Sequence, residues 1–547
     1  MNRSQRRRAK RQAKGNKALK SKSGTQETDV LGDIYNAIRI DDKVLANSLL
    51  KDALVSVPDN PDVHHLHGVI LGQLGDREDA IGHIRNAIRL NDQNAEYHAN
   101  LGFLLMASGD IGAAKSAYEA SIKLAPTDAT GHARLAKLLE AEGNLEAAAA
   151  AHLQAVKADP DFRHSWIALA RLGTKSGKLK KVAHYIYHIL RIDPVIANEF
   201  EGAEICVGIL HGLQDFNIKV GIGDNGKFSF SPQTGHFDAT LAMAGSGFSV
   251  RDIFLLPGAP VEKIRRSLAG CHVVFNSIAD VDTEGKSLEL AETILADVSI
   301  PIINQPNAAR QTGRDEVADA IGSIAGIRAP RTATLAAGTP VSDIQDLSTE
   351  LGITFPLLYR PKGGHTGEGL LRLEDAHDLD GLPKDVFKDD GYLSEFIEFK
   401  SADGFHRKSR AFWIEGELFP EHHVISDNWI VHIEARERLM SAHPWMIEEQ
   451  RQFIEEFTTF LSAAQIDALK MVGSRLGLDF LGIDFSILPD GRLLVFEANF
   501  AMNINLEGDP ELFPYKVPAT MHTVERLRKL MRTKAMDGKA AGSSSRS

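Results

Sequence analysis

The sequence predicts a multidomain protein. An all-α helical solenoid comes first, an α/β domain with an open, mostly parallel sheet follows, and the last region carries a two-stranded antiparallel hairpin. Three observations carry this reading. Small residues recur every 34 positions between about Glu27 and Ile196, the mark of a repeat architecture. Strand-like and helix-like segments alternate from Val250 to Ile324, as they do in α/β folds. The stretch 482–499 reads as two apolar strands about Asp490-Gly491, a dipeptide suited to tight hairpin turns because Gly takes φ > 0 cheaply.

The chain has 547 residues, enough for several domains, and its 43% hydrophobic and 25% charged content is ordinary for globular protein. Cys206 and Cys271 are the only cysteines. No disulfide framework is implied, a reducing compartment fits, and a cytoplasmic location is expected. No uncharged apolar run reaches membrane-span length and no signal-peptide core is found, so no membrane partner is expected. A net charge of −11 argues against general nucleic-acid binding. The exception is the N-terminus, where Met1 to Lys22 holds many Lys and Arg and no acid. Residues 1–26 read as a disordered tail, either solvated or in loose contact with RNA, ribosome or acidic lipid. Residues 536–547 read as a second disordered tail.

The repeat is built from three ladders. Gly75, Gly109, Gly143 and Gly177 form one. Ala46, Ala80, Ala114 and Ala148 form the second, continued by Val182. Pro58, Pro126, Pro160 and Pro194 form the third, with Asp92 filling its gap. Each unit reads as two amphipathic helices joined at the Gly, with Ala at the close approach and Pro after the second helix. The pattern resembles the tetratricopeptide repeat. Five units are expected in 27–200, starting near 27, 61, 95, 129 and 163, the first degenerate with Asp41-Asp42 in place of the Gly turn. The resemblance implies a concave face that binds a peptide or protein. His64, His98, His132 and Trp166 share another ladder. Successive repeats are too far apart for one ion to bridge, so this ladder is read as packing or partner contact.

In the hairpin, a two-residue Asp490-Gly491 loop would set Pro489 across from Arg492 and Asp484 across from Glu497. Asn499 falls on the same face by strand alternation. A lone pattern of this kind equally describes an edge hairpin with solvated acids. Here Leu481, Ile483, Phe485, Ile487, Leu493, Val495 and Phe496 flank the acids, and buried carboxylates need a cation or a metal. Asp484, thirteen residues later Glu497, then Asn499 resembles the metal-binding hairpin of the ATP-grasp superfamily, in which glutathione synthetase, D-alanine–D-alanine ligase and the ribosomal-protein glutamate ligases fall. The resemblance implies an α+β ATP-grasp domain over 336–535, preceded by an α/β pre-grasp domain over 215–335. It further implies Mg²⁺ (or Mn²⁺) on Asp484, Glu497 and Asn499, and ATP as cosubstrate.

The pre-grasp strands are expected at 250–256, 272–276 and 300–304, with helices at 259–268 and 283–296 and a third through 314–324. Ile302-Ile303-Asn304-Gln305-Pro306 and Ile327-Arg328-Ala329-Pro330-Arg331-Thr332 are similar to stretches found there in the family. After the strand Phe355 to Arg360 comes Lys362-Gly363-Gly364-His365-Thr366-Gly367-Glu368-Gly369, similar to the family's glycine-rich loop over the ATP phosphates. Backbone N–H groups of such a loop approach phosphate closely, and a cation at the strand end neutralises it. Arg360, Lys362, Gly363, Gly364, Gly367 and Gly369 are the expected nucleotide-binding residues, with Arg360 standing where the family has Lys. Glu395-Phe396-Ile397-Glu398 resembles the hinge strand that meets adenine, with Glu395 or Glu398 on the ribose. Arg410, with Arg360 and Lys362, is the expected catalytic cation. His422, His423, His432 and His443 read as packing or substrate-pocket residues, because neighbours on a strand point oppositely.

The resemblance implies ligation of a small-molecule acid and an amine through an acyl phosphate, with the repeats recruiting a peptide or protein substrate, and a possible homodimer. Two other readings remain open: a phosphotransferase on a small metabolite, and a protein-binding scaffold without turnover.

Overall fold

The computed structural model describes residues 27–544, apart from 214–217, 223–227, 233–239, 279, 365–368, 384, 433, 501, 505, 507 and 508. The basic tail 1–26 and Gly367 therefore lie outside the described residues. The chain divides into two compact units, Met1–Lys178 and Leu179–Ser547.

The first unit is built of helix pairs. They are α1 (Glu27–Arg39) with α2 (Lys43–Ser56), α3 (Pro61–Leu74) with α4 (Arg77–Leu90), α5 (Ala95–Ala107) with α6 (Ile111–Leu124), α7 (Ala129–Ala141) with α8 (Leu145–Ala158), and α9 (Arg163–Lys175). The expected starts at 27, 61, 95, 129 and 163 hold. The local reasons repeat at the same step. Asn60, Asn94 and Asp128 cap α3, α5 and α7, each side chain accepting a backbone N–H two residues on. Each pair then turns on a left-handed residue: Gly75, Gly109 and Gly143 have φ of 97°, 84° and 78°. In the first unit, where Gly is missing, Asp41 takes that conformation at φ 59°. Ala46, Ala80, Ala114 and Ala148 are fully buried. The fifth unit's second helix, α10 (Leu179–Ile192), counts with the second compact unit.

The ring ladder has a defined task. His64 Nε2 lies 2.9 Å from the Pro58 carbonyl, His98 Nε2 3.0 Å from that of Asp92, and His132 Nε2 3.0 Å from that of Pro126. Trp166 Nε1 donates to the Pro160 carbonyl at 2.9 Å. Each ring N–H thus satisfies the carbonyl six residues upstream, in the turn that opens its repeat.

Among the described residues the second unit holds three main sheets and a two-stranded ribbon. The first sheet contains β1 (Val195–Asn198), β2 (Cys206–Gly212), β5 (Ser249–Leu255), β6 (Val273–Asn276) and β7 (Ile302–Ile303) in the order β1-β5-β2-β6-β7. Its strands are parallel except β1, which runs antiparallel to β5. Helices α11 (Val261–Leu268), α12 (Val281–Leu295) and α13 (Arg314–Ile321) follow its strands. The sheet begins twenty residues before the expected boundary at 215, because β1 and β2 were not legible as strands. The ribbon pairs β3 (Ile218–Ile222) with β4 (Phe228–Pro232).

The second sheet is antiparallel, β11 (Leu371–Leu373), β10 (Leu357–Pro361), β12 (Gly391–Glu395) and β9 (Thr332–Leu335) in that order. It has its own small core of Leu335, Ile344, Leu357, Tyr359, Phe387 and Leu393. The third sheet runs β14 (Glu417–Ser426), β13 (His406–Ile414), β15 (Phe480–Ile487), β16 (Leu493–Asn499) and β8 (Ile327–Arg328). Its core is continuous with that of the first sheet. Asn304 ties the two: its fully buried side chain donates to the Phe480 carbonyl at 2.9 Å and accepts from the Asp479 and Phe480 N–H groups at 3.0 Å. The C-terminal helix α14 (Lys516–Ser544) continues well past 536, against the expected disordered tail. Its register stays in the core through Leu530, Met531 and Ala535.

Candidate functional site

The hairpin turn differs from the two-residue loop read in the sequence. Leu488 N donates to Arg492 O at 2.8 Å and Gly491 N to Leu488 O at 2.9 Å, with Gly491 at φ 83°. The loop is therefore Pro489-Asp490-Gly491, three residues long. That shifts the register by one, and a β-bulge between Asp484 and Phe485 shifts it back. Asp484 consequently does face Glu497, as expected, although by two compensating departures from the simple ladder.

One row crosses the third sheet: His422 on β14 pairs with Arg410, Arg410 with Asp484, and Asp484 with Glu497. Arg410 grips Asp484 through Nε at 2.6 Å and Nη2 at 3.0 Å, and Lys408 Nζ lies 2.7 Å from the same carboxylate. Asp484 is 1% exposed. Burial pushes its carboxyl up, but Arg410 and Lys408 hold it well below the usual carboxylate range. Burial also raises Glu497, and Arg314 Nη2, 3.1 Å from Glu497 Oε2, brings it below its ordinary value. Asn499 Nδ2 reaches Glu497 Oε1 at 3.5 Å. Burial and the charge of Arg410 push His422 well below its ordinary value. His423 points to the opposite face, bonded to Ser409 at 2.8 Å and Glu449 at 3.0 Å.

A cavity of about 260 Å³ lies between the second and third sheets. Arg314, Arg360, Lys408 and Glu497 form one end; Leu358, Phe396, Ile397, Val431, Leu494 and Phe496 line the rest, with Glu395 and His432 on its wall. Burial and the neighbouring Arg314 push the Arg360 guanidinium down to about 10, and its Nη1 donates to the Gly364 carbonyl at 3.2 Å. A smaller pocket of about 50 Å³ adjoins through Arg314, Arg360 and Glu497 and is closed by Gly363, Gly364, Asp280, Asp282 and Asn499. Gly363 is required there. Its φ is 68°, and a Cβ would stand 2.6 Å from the Thr283 methyl. Gly369 also has φ > 0, at 67°, against Pro361.

Several expected residues sit elsewhere. Lys362 Nζ lies 4.9 Å over the Tyr392 ring and outside the cavity wall. Glu398 is outside as well. It accepts the Phe399 and Lys400 N–H groups at 3.0 and 2.9 Å and His406 at 3.2 Å, the work of a turn acid. Glu395 stays on the cavity, held by Arg328. Arg314 carries no signal in the sequence, since it opens an ordinary helix. Tyr392 was likewise missed; its hydroxyl donates to Asp282 at 2.5 Å.

Two carboxylates and an amide oxygen on one β surface are, in kind, the hard donors that Mg²⁺ and Mn²⁺ take. Glu497 and Asn499 fit that role only when Arg314 leaves Glu497 Oε2 and the Asn499 amide turns its oxygen rather than its Nδ2 toward the ion. Asp484 fits only when Lys408 and Arg410 are drawn off its oxygens. Among the described residues, no three His, Cys, Asp or Glu side chains are gathered as ligands, and no helix is long and apolar enough to cross a membrane.

A family model of the tetratricopeptide repeat matches residues 105–178. Among curated proteins, none matches the chain in sequence. Similar solved structures include MamA, 20% identical over 29% of this chain and 92% of MamA, with a TM-score of 0.27. PilF of Pseudomonas aeruginosa is 15% identical over 30% of this chain and 75% of its own, with a TM-score of 0.29. PilW, a type IV pilus biogenesis factor, is 20% identical over 31% and 78%, with a TM-score of 0.28. The N-terminal region of this chain is a tetratricopeptide-repeat array, followed by a mixed α/β region of several sheets.

Proposed function

We propose that the second unit is an ATP-dependent carboxylate–amine ligase of ATP-grasp type, and that the repeat array recruits the peptide or protein it acts on. The cavity between the second and third sheets carries this reading. Its apolar length suits a nucleotide base, and its cationic end suits phosphates. In the proposed reaction a substrate carboxylate takes the γ-phosphoryl group of ATP, releasing ADP. An amine then attacks the acyl phosphate, forming an amide and releasing phosphate. Arg314, Arg360 and Lys408 would neutralise charge as the phosphoryl group moves. Glu497 and Asn499, with Asp484 behind them, would hold Mg²⁺ or Mn²⁺, whose chemistry is charge neutralisation at the β- and γ-phosphates. The second sheet has its own core, which suits a lid that closes the cavity against water.

The test is a mass-spectrometric screen of amino acids and peptides with ATP and Mg²⁺. ADP should form only when an acid and an amine are both present, and Glu497→Ala should abolish it. Unchanged ADP release by that variant removes the metal assignment. One observation favours a second reading, a binding scaffold without turnover: both oxygens of Asp484 are already neutralised by Lys408 and Arg410. Calorimetry finding no Mg·nucleotide binding would select it.

A further inference from the structure

Beside the ladder residue His64 the second repeat carries three more histidines: His65, which bonds Asn100 of the next repeat at 2.7 Å, and His67 and His83. His64 and His67 stand one turn apart on α3, and His83 lies on the antiparallel partner α4. His64 Nδ1 is 3.0 Å from His83 Nδ1. The His67 and His83 rings pack with centroids 4.2 Å apart.

The outer nitrogens fix the tautomers. His64 Nε2 faces the Pro58 carbonyl at 2.9 Å and His67 Nε2 faces Asn47 Oδ1 on α2 at 2.9 Å. Both partners only accept, so both Nε2 atoms carry the proton and both Nδ1 atoms present a lone pair. That of His67, a residue 3% exposed, has no hydrogen-bond partner. A buried nitrogen lone pair left unpaired is costly. Imidazoles whose far N–H is held by a carbonyl oxygen are how proteins present His to a metal.

We propose that His64, His67 and His83 form a binding site for a divalent transition ion of the imidazole-preferring kind, such as Zn²⁺, Co²⁺ or Ni²⁺. The ion is bound through the three Nδ1 atoms. Two nitrogens at ~2.0–2.1 Å from a tetrahedral ion stand about 3.4 Å apart, so the His64–His83 pair needs to open by only a few tenths of an ångström. Among the described residues the three rings are not arranged as a ready set of ligands; His83 gives its Nδ1 proton to His64. On binding, His83 carries its proton on Nε2 instead and turns its Nδ1 to the ion, with no net proton released. Burial lowers the proton affinity of both His67 and His83. Asp79, one turn before His83, supplies the nearby negative charge acting on it, and Lys51 opposes at His67. The bound ion would tie α3 to α4 and, through Asn47, to α2.

The test titrates the full-length, chelator-stripped and untagged chain with Co²⁺ in excess Mg²⁺, following ligand-field absorption and calorimetric stoichiometry. One equivalent should bind. His83→Ala, at a half-buried position that tolerates truncation, and His67→Leu should each weaken binding at least tenfold. Asn47→Leu should weaken it about tenfold through the lost second hydrogen bond. His98→Ala and His132→Ala should leave it unchanged. Absence of saturable binding by the wild type overturns the proposal. So does binding that survives both His67→Leu and His83→Ala, or that is lost instead in a His184→Ala, His188→Ala variant.

Discussion

Replacing Asp484 with Asn tests whether the charge row across the third sheet is structural as well as chemical. The change keeps the volume and deletes one charge. It leaves Lys408 and Arg410, now 2.7 and 2.6 Å from the carboxylate oxygens, facing one another without their anion. Breaking a buried ion pair by removing one partner costs ~3–5 kcal/mol. Here the two cations are 29% and 21% exposed and recover part of their hydration, so ~2–3 kcal/mol is expected. For a unit of this size ~2 °C is lost per kcal/mol, giving a fall of about 4–6 °C in the transition of the second unit by scanning calorimetry at pH 7. Adding Arg410→Met should restore part of it, since the pair rather than the single charge is then removed. The sign with pH follows. The folded Asp484 pKa lies below its ordinary 3.8, so its stabilisation is fully present above that value and is lost as pH falls toward the folded pKa. The gap between variant and wild type should therefore narrow below pH 3.8. A variant that melts within about 1 °C of wild type at pH 7 would refute the assignment of a neutralising role to Asp484.

Other expectations follow from single contacts. Gly363→Ala forces a side chain into φ 68° and into the Thr283 methyl, about 1–2 kcal/mol of strain; Mg·ATP affinity by calorimetry should fall roughly 5- to 30-fold, and an unchanged affinity would place the nucleotide elsewhere. Trp166→Phe keeps the ring and strips the donor from the Pro160 carbonyl, costing about 1–2 kcal/mol in urea unfolding of the repeat array; His132→Phe at its more exposed site should cost less. Glu449 is raised by burial but brought down to about 2 by His423 and Arg407. Its stabilisation is present above its ordinary 4.5 and lost between there and about 2. Glu449→Gln should thus flatten the acid limb of the stability curve in that window.

The repeat array was legible because its causes are local and periodic. Asn or Asp at the cap, Gly at the αL turn and Ala at the close approach each act within one helix pair, so a 34-residue step in the sequence is a 34-residue step in the fold. The Asp484–Glu497 pairing was legible for a similar reason, although the three-residue turn and the bulge at Asp484 came as a compensating pair. A sequence cannot signal a bulge whose only trace is one extra apolar residue, Phe496.

Local periodicity was thus enough for the helix order of the repeats, the strand–helix alternation from 250 to 324 and the shared face of Asp484 and Glu497, because backbone period fixes these within a few residues. The tertiary structure alone decided which charges meet. It brought Arg314 from the start of a helix to Glu497, set Lys408 and Arg410 on Asp484, turned Glu398 out to cap its own turn, and made Asn304 the link between two sheets. The physical reason is range. A cap or turn is settled by neighbours along the chain, whereas a buried charge is settled by whichever distant side chain neutralises it when the layers pack.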